Sequence, residues 1–502
     1  MNPLWIHQSN YVEYRSPQYR HLSVDQVERL HDASLEILAR TGVRLHHRAA
    51  VDIMKKAGAT VEDGNQVHIP AGLVEWALGL APKRVVLCNR YGQRVMPLER
   101  NRVFYGVGLD CPYILDHRTG ERRKGTIHDL EEAVRICDAL PSIDFVMPVC
   151  LLSDIRPANG GMFHDIEAAD RRRMAILLGN TVKPILFDTA TPTGCAAAVE
   201  LAEAVVGGAE ALQRNPLCGC RIKVSDPLRH DAEALDKLLL LAQKGLPFTY
   251  TTKVLRGING PVTGAGAIAL ANAGNLVGIV LAQLVNEGTP VIHGGGFNDL
   301  MDMSRMVEVL EAPENRGGSS ELARHYRLPV FGLAGSSDAK QPDPQGAAEA
   351  AFALLIETLL GVNLIHGVGC LEGGECYSLE HLVICDELIS YIKRFVQGPE
   401  VNEETLALDI VHQLGHGDGF LGSAHTRTHF REDWYPRLLD RDTYEGWCQE
   451  GRRDVRFKAR EKIENLLGSH LPEPLAADVR SILDEVMLGA AQISPAAGKG
   501  YA

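Results

Sequence analysis

A chain of 502 residues with 45% hydrophobic and 23% charged side chains has material for one large core with decorations, or for two to three domains, and is neither disordered nor fibrous. Its 64 acidic residues outweigh 51 basic ones for a net charge of −13, and no arm or tail concentrates the positive side chains, which argues against nucleic acid as a partner. The 11 scattered cysteines, and a start at Met1 to Asn10 without a basic region, apolar run and cleavage site, fit a reduced, cytoplasmic setting.

In chain order, Ser23 is placed to cap a helix through Val27, Leu30, Leu35 and Leu38 that Gly42 ends. Residues 1–100 read as a helical and hairpin decoration. From Asp144 the pattern changes to short apolar runs alternating with helical stretches, the signature of repeated βα units and a parallel sheet. The strand-like runs are Phe145–Cys150, Pro184–Asp188, Leu217–Ile222, Pro247–Thr252, Pro290–His293, Pro329–Leu333 and Val362–His366. An eighth is wanted, and both Phe104–Val107 and the Leu382–Cys385 region offer it. Helical patterns fall at Ala196–Val206, Asp231–Lys244, Ala265–Val285, Ser319–His325 and Ala347–Leu360. The expected fold is therefore α/β, a (β/α)8 TIM barrel over 101–395, with a charged helical extension over 396–502.

One stretch, Gly257 to Asn286, holds no charge and is long enough to cross a bilayer. Its Gly- and Pro-rich start and its interior Asn272, Asn275 and Gln283 favour a buried helix, and no membrane is expected.

Chemistry in such a barrel sits just past the carboxyl ends of the strands. There the sequence places Asp188, Lys223 with Asp226, Thr252 with Lys253, His293 before three glycines, Ser336-Ser337-Asp338, and His366 followed by Glu372-Gly373-Gly374-Glu375 and Tyr377. The last group is richest, because glycines beside an imidazole and two carboxylates let a bulky ligand approach the backbone. The plain alternative for His366 is a strand-end histidine satisfied by a carbonyl, and for His293 a tight turn.

Phe104, Tyr105, Asp110 and Tyr113 form an aromatic and acidic set. It suits a quaternary ammonium, which cannot donate a hydrogen bond and is held by ring faces and carboxylates; ordinary hairpin packing explains the same residues. Cys218-Gly219-Cys220 and the tail histidines His412, His416, His425 and His429 lack a strong zinc spacing, so no metal site is expected.

Five further motifs carry a resemblance: Pro261-Val-Thr-Gly before an Ala/Leu/Asn-rich helix, Pro290-Val-Ile-His-Gly-Gly-Gly, Ser337-Asp-Ala-Lys340, Asn363-Leu-Ile-His366-Gly and His425-Thr-Arg-Thr-His429-Phe. In this order, between about Leu22 and about Leu467, the chain resembles the trimethylamine:corrinoid methyltransferase superfamily. The resemblance implies a barrel that binds a methylamine at its top face and receives a corrinoid protein whose cobalt takes the methyl group. Members acting on trimethylamine contain pyrrolysine, whereas this chain has only ordinary residues. It is therefore similar to the branch without pyrrolysine, which includes a glycine betaine methyltransferase.

A quaternary amine already carries the charge that lets its nitrogen leave neutral, so cobalt(I) needs from the protein only position, desolvation and charge complementarity. The resemblance implies His366 facing the corrinoid, with Glu372 and Glu375 facing the loop around the substrate or the cobalt face. Position and residue type add Tyr105, Asp110, His293, Asp338 and Tyr377 as substrate-binding residues. No tightly bound cofactor is expected; the corrinoid (cobalamin) comes on a cognate partner protein, and the large apolar helices and Trp-bearing tail are compatible with a homo-oligomer. Two other readings stand beside this one: a non-catalytic betaine-binding barrel, and a zinc-dependent methyltransferase with another methyl donor.

Overall fold

The computed structural model describes residues 18–155, 165–295, 297–312, 317–417 and 419–488. Its centre is a succession of parallel strand pairs whose order returns to its start. Phe104–Tyr105 pairs with Leu364–His366 on one side and, through a Gly106–Phe145 bridge, with the segment 145–146 on the other. Val146 bridges to Ile185, and Ile185–Phe187 pairs with Cys218–Val224. That strand pairs with Phe248–Arg256, which pairs with Val291–His293. A His293–Val330 bridge leads into Phe331–Leu333, the neighbour of Leu364–His366. These are the ring strands, numbered first to eighth from Phe104.

The eighth run wanted by the sequence is thus Phe104–Tyr105, while Leu382–Cys385 lies inside the helix Leu379–Gln397. The run expected at Phe145–Cys150 pairs only through isolated bridges at Phe145, Val146 and Cys150; Pro148 has no N–H to give a neighbour.

A helix follows each ring strand, and side-chain caps explain where most begin. Thr126, Asp165, Thr191, Asp231, Asp343 and Ser378 each accept a backbone N–H of the first turn, satisfying donors that a helix start leaves open. Ile127–Ala139 and Ile166–Asn180 are helices that the apolar pattern alone does not announce. The 22-residue helix Gly264–Val285 is, among the described residues, the one long and apolar enough to cross a membrane, yet 83% of its most apolar 18 residues are buried inside the protein. Gly278 shows why it is a core helix: a Cβ there would sit 2.3 Å from the ring of Tyr250.

Alternate side chains of a ring strand face inward. Phe145, Met147, Leu186, Ile292, Phe331, Leu333 and Leu364 form one interior cluster, joined by Val85, Leu87, Met96 and Leu98 of the antiparallel hairpin Val85–Leu87/Met96–Leu98. The hairpin therefore plugs the end of the ring at which the strands start. Each fully buried Phe or Leu contributes about 1.5–3 kcal/mol. The outward set, including Tyr105, Phe187, Cys220, Ile222, Tyr250 and Ile365, packs under the helices in a second, larger core. At the other end of the chain, Val455–Ser469 binds the helix Leu379–Gln397 through Arg456 and Arg460 to Glu380 and Lys462 to Asp386.

Candidate active site

Where the strands end, the interior turns from apolar to charged. In the fourth strand Gly219, Arg221 and Lys223 face inward, opposite the buried Cys218 and Cys220. Lys223 Nζ lies 2.6 Å from Asp188 Oδ2, past the end of the third strand, and 3.2 Å from Asp110 Oδ2, past the end of the first. Asp110 also accepts from Arg173 at 2.8 Å, and Arg173 binds Asp170 at 2.6 Å. Asp170 in turn accepts from the backbone of Ala190. Lys223 and Arg173 thus join three carboxylates from three elements in one ion-paired network, and the charge of Arg221 acts on Asp188 and Asp110 from beside Lys223.

The electrostatics follow from burial and proximity. Burial works against the charge on Asp188, but Lys223 and Arg221 outweigh it and hold the carboxyl below its usual range. Burial likewise opposes the Lys223 ammonium, and Asp188 with Asp110 more than restores it. For Arg221 burial wins and lowers the pKa in spite of the same two carboxylates. Asp188 and Lys223 are each held in the charged form by the other.

His366 ends the eighth strand, is fully buried, and stacks on Phe331 with ring centroids 4.0 Å apart. The Arg221 guanidinium lies 5.6 Å from the centre of the same Phe331 ring. Burial, then the charge of Arg221, pushes the imidazole well below its ordinary pKa, so it is neutral. With Nδ1–H donating to the Gly332 carbonyl at 2.6 Å, Nε2 is the ring's acceptor nitrogen. His366 is satisfied by a carbonyl, as the plain reading expects, and shares the Phe331 ring with Arg221.

The other residues expected from the sequence divide. Asp110 belongs to the network. Asp338 accepts the N–H groups of Leu310 and Glu311, both at 3.2 Å, and so ties down the segment after the sixth strand. Glu372 is engaged by Arg122 at 2.8 Å, whose guanidinium covers the Tyr113 ring at 3.5 Å. Glu375 is exposed.

Three expectations are corrected. Tyr105 points outward and hydrogen-bonds Thr358 Oγ1 at 2.7 Å, and His293 points outward to Asn272 Oδ1 at 3.0 Å. Both follow from strand alternation, which turns them to the surrounding helices. Tyr377 is 2% exposed and packs beside Gly369 in the core. Gly294 and Gly295 serve close packing: a Cβ on Gly294 would lie 2.1 Å from the Tyr250 carbonyl oxygen, and one on Gly295 2.1 Å from that of Phe331.

Arg173 and Arg221 are the functional candidates that sequence reasoning missed. Arg221 had a signal, a charge at an inward position of an otherwise apolar strand. Arg173, one of three consecutive arginines on a helix, had none. Cys218 and Cys220 are core residues whose thiols burial pushes up, as expected of small buried hydrophobes.

Comparison with known proteins agrees with this architecture. A family model described as trimethylamine methyltransferase (MTTB) matches residues 4–489. A trimethylamine methyltransferase MttB of Desulfitobacterium hafniense (strain DSM 10664 / DCB-2) is 31% identical over 474 residues, covering 92% of this chain and 93% of that one. The glycine betaine methyltransferase of Desulfitobacterium hafniense (strain Y51) is 27% identical over 471 residues, covering 92% and 95%. Among solved structures, the hydroxylamine complex of MtmB superposes with a TM-score of 0.50 at 13% identity, over 89% of each chain, a likeness of fold. The chain belongs to the trimethylamine methyltransferase (MTTB) family and is a methyltransferase.

Proposed function

We propose that this enzyme moves a methyl group from a quaternary amine bearing a carboxylate, glycine betaine or a related betaine, to the cobalt(I) of a corrinoid carried by a partner protein. The observation that carries the reading is the charged network at the strand ends. Lys223 and Arg221 offer a substrate carboxylate its partners, and Asp110 and Asp188 offer a quaternary ammonium its counter-charge. The kinship with both a trimethylamine and a glycine betaine methyltransferase supports the reaction class.

The corrinoid, as the methyl acceptor, supplies the nucleophile. The protein's residues hold the ammonium in line and keep water from it, while the nitrogen departs as a neutral tertiary amine that needs no proton. Neutral His366, with its N–H committed to Gly332, is the side chain we place beside the transferred methyl. Glu372 and Glu375 shape the loop over the site, with Glu372 acting through its pairing to Arg122.

The same reading takes the ring as a (β/α)8 barrel over 101–395, between a decoration over 1–100 and an extension over 396–502. Eight strand–helix units and the return of the eighth strand to the first support it. The 11 free cysteines support a reducing, cytoplasmic setting. The exposed Leu406, Leu408, Val411 and Leu421 on the extension support a homo-oligomer.

The test is the absorbance of a cobalt(I) corrinoid mixed with the enzyme and, in turn, glycine betaine, carnitine, other betaines and trimethylamine. Methyl-corrinoid formed from a betaine and not from trimethylamine is the expected result. Transfer from trimethylamine alone refutes the substrate assignment. Betaine binding without transfer from any donor refutes the reaction.

A further inference from the structure

Far from the charged network, where the ring strands begin, the protein carries a second concentration of charge of one sign. A cleft of about 480 Å³ opens between the segment before the plugging hairpin, the turn after it, and the end of the helix Gly318–His325. Six cations line it: Arg20, Lys83, Arg84, Arg100, Arg324 and Arg327. Among the described lining residues Glu99 is the one carboxylate, and it is already paired with Arg84 at 3.3 Å and Arg102 at 3.6 Å. Among the described residues no carboxylate lies within ion-pair distance of Arg20, Lys83 or Arg327. In a chain of net charge −13, six cations around one opening make a local concentration of positive charge that favours an anion.

Two further features show that the arrangement is held in place. Arg100 and Arg327 both have left-handed backbones, with φ of 49° and 58°, a conformation disfavoured for side-chain-bearing residues that persists where the surrounding structure imposes it. Both stand on the rim of the same cleft. Lys83 donates to the carbonyls of Leu78 at 2.6 Å and Tyr326 at 3.1 Å, which fixes its ammonium at the edge of the opening. Burial and then the charge of Arg327 lower the pKa of Lys83, so a bound anion would relieve a repulsion already present. The volume falls in the usual range for small-molecule sites, and guanidinium groups suit oxygen anions because their donors match phosphate and carboxylate geometry.

We propose that this cleft binds a small polyanion, of the diphosphate or polycarboxylate class, at the end of the ring opposite the methyl-transfer site. The site rests on its own residues and does not depend on the betaine reading.

Calorimetric titration of the full-length protein with inorganic pyrophosphate, and separately with citrate, tests it. Saturable binding of one anion per chain is expected, weakening at high salt. Replacing Arg327 with Gln, and independently Arg20 with Gln, should weaken it by about tenfold each, the scale of a charge-assisted hydrogen bond. Both side chains are exposed, so folding is preserved, and unchanged circular dichroism verifies that. Arg431→Gln, on the exposed C-terminal extension, should leave the affinity unchanged. Equal weakening by Arg431→Gln would mean general attraction to surface charge and would overturn the site. So would the absence of saturable binding of either anion. Pyrophosphate binding without citrate binding assigns a phosphate ligand, and the reverse a polycarboxylate.

Discussion

Replacing Lys223 with Gln separates recognition of a substrate carboxylate from every other property of the site. A charge-assisted hydrogen bond is worth about 1.5–3 kcal/mol when desolvated. Lys223 is 44% exposed at the open mouth, so solvent screening reduces this to about 1–2 kcal/mol, or about 5- to 30-fold in affinity. The change also frees Asp188 and Asp110 from their nearest ammonium, which leaves more negative charge for the quaternary nitrogen. The two consequences have opposite signs for two substrates. For glycine betaine, kcat/KM should fall by about the factor above. For tetramethylammonium, which has the cation and no carboxylate, it should hold or rise. Rates of methyl-corrinoid formation with saturating cobalt(I) corrinoid measure both. Equal losses for the two substrates would refute the reasoning, because Lys223 would then serve the architecture of the network and not a carboxylate.

The remaining expectations test other residues. His366→Ala should reduce methyl transfer far more than it reduces betaine affinity measured by calorimetry, and equal losses would remove the histidine from the reacting centre. Asp110→Asn should weaken betaine binding and loosen Arg173, with unchanged affinity placing the ammonium elsewhere. Lys183 is half-buried and donates to the carbonyls of Cys137, Leu140 and Ile143 at 2.6–2.7 Å; Lys183→Met leaves those acceptors unmet and should cost about 3 kcal/mol in urea unfolding. His230, His293 and His381 have pKa values lowered by burial to about 4. The unfolded chain therefore binds protons first as pH falls below about 6.5, and each histidine withdraws up to about 3 kcal/mol of stability by pH 4. The unfolding temperature should drop across that window, and a flat profile would contradict the neutral assignment.

Much of the ring was legible because most of its strands are short apolar runs and most of the helices between them carry an apolar pattern. Phe104–Tyr105 was ambiguous, since two residues carry no periodicity, and only pairing with Leu364 and Ile365 decides it. The helix Ile127–Ala139 buries Asp129 and Glu132 with its apolar residues. Arg123 and Arg118 neutralise those two carboxylates, and such a pairing leaves no trace in a hydrophobic pattern. Site reading failed where it took the end of a strand as the criterion without asking which face a residue occupies. His293 and His366 both end strands, yet one residue of register sends the first into the helix layer and the second into the interior. Lys223 and Asp188 were visible at strand ends; their convergence with Asp110 and Arg173 is a property of closure, which brings together positions far apart in the chain.

The charge balance of the network bears on which donors it can accept. The formal charges of Arg173, Arg221 and Lys223 balance those of Asp110, Asp170 and Asp188, and a bare cation entering the cluster meets carboxylates already engaged. A betaine brings its own counter-charge. It exchanges one ion pair for two, with its carboxylate toward Lys223 and its ammonium toward Asp110 or Asp188, and adds no net charge to a partly desolvated site. The same geometry bears on the leaving group. A neutral tertiary amine donor would expel an anionic nitrogen and require a proton or another electrophile at that atom. His366 is neutral, with its only N–H directed to Gly332, and the aspartates of the network are held by cations. The nitrogen of a quaternary donor departs neutral and makes no such demand, so histidine protonation and network balance both support the proposed quaternary-amine donor over a tertiary one.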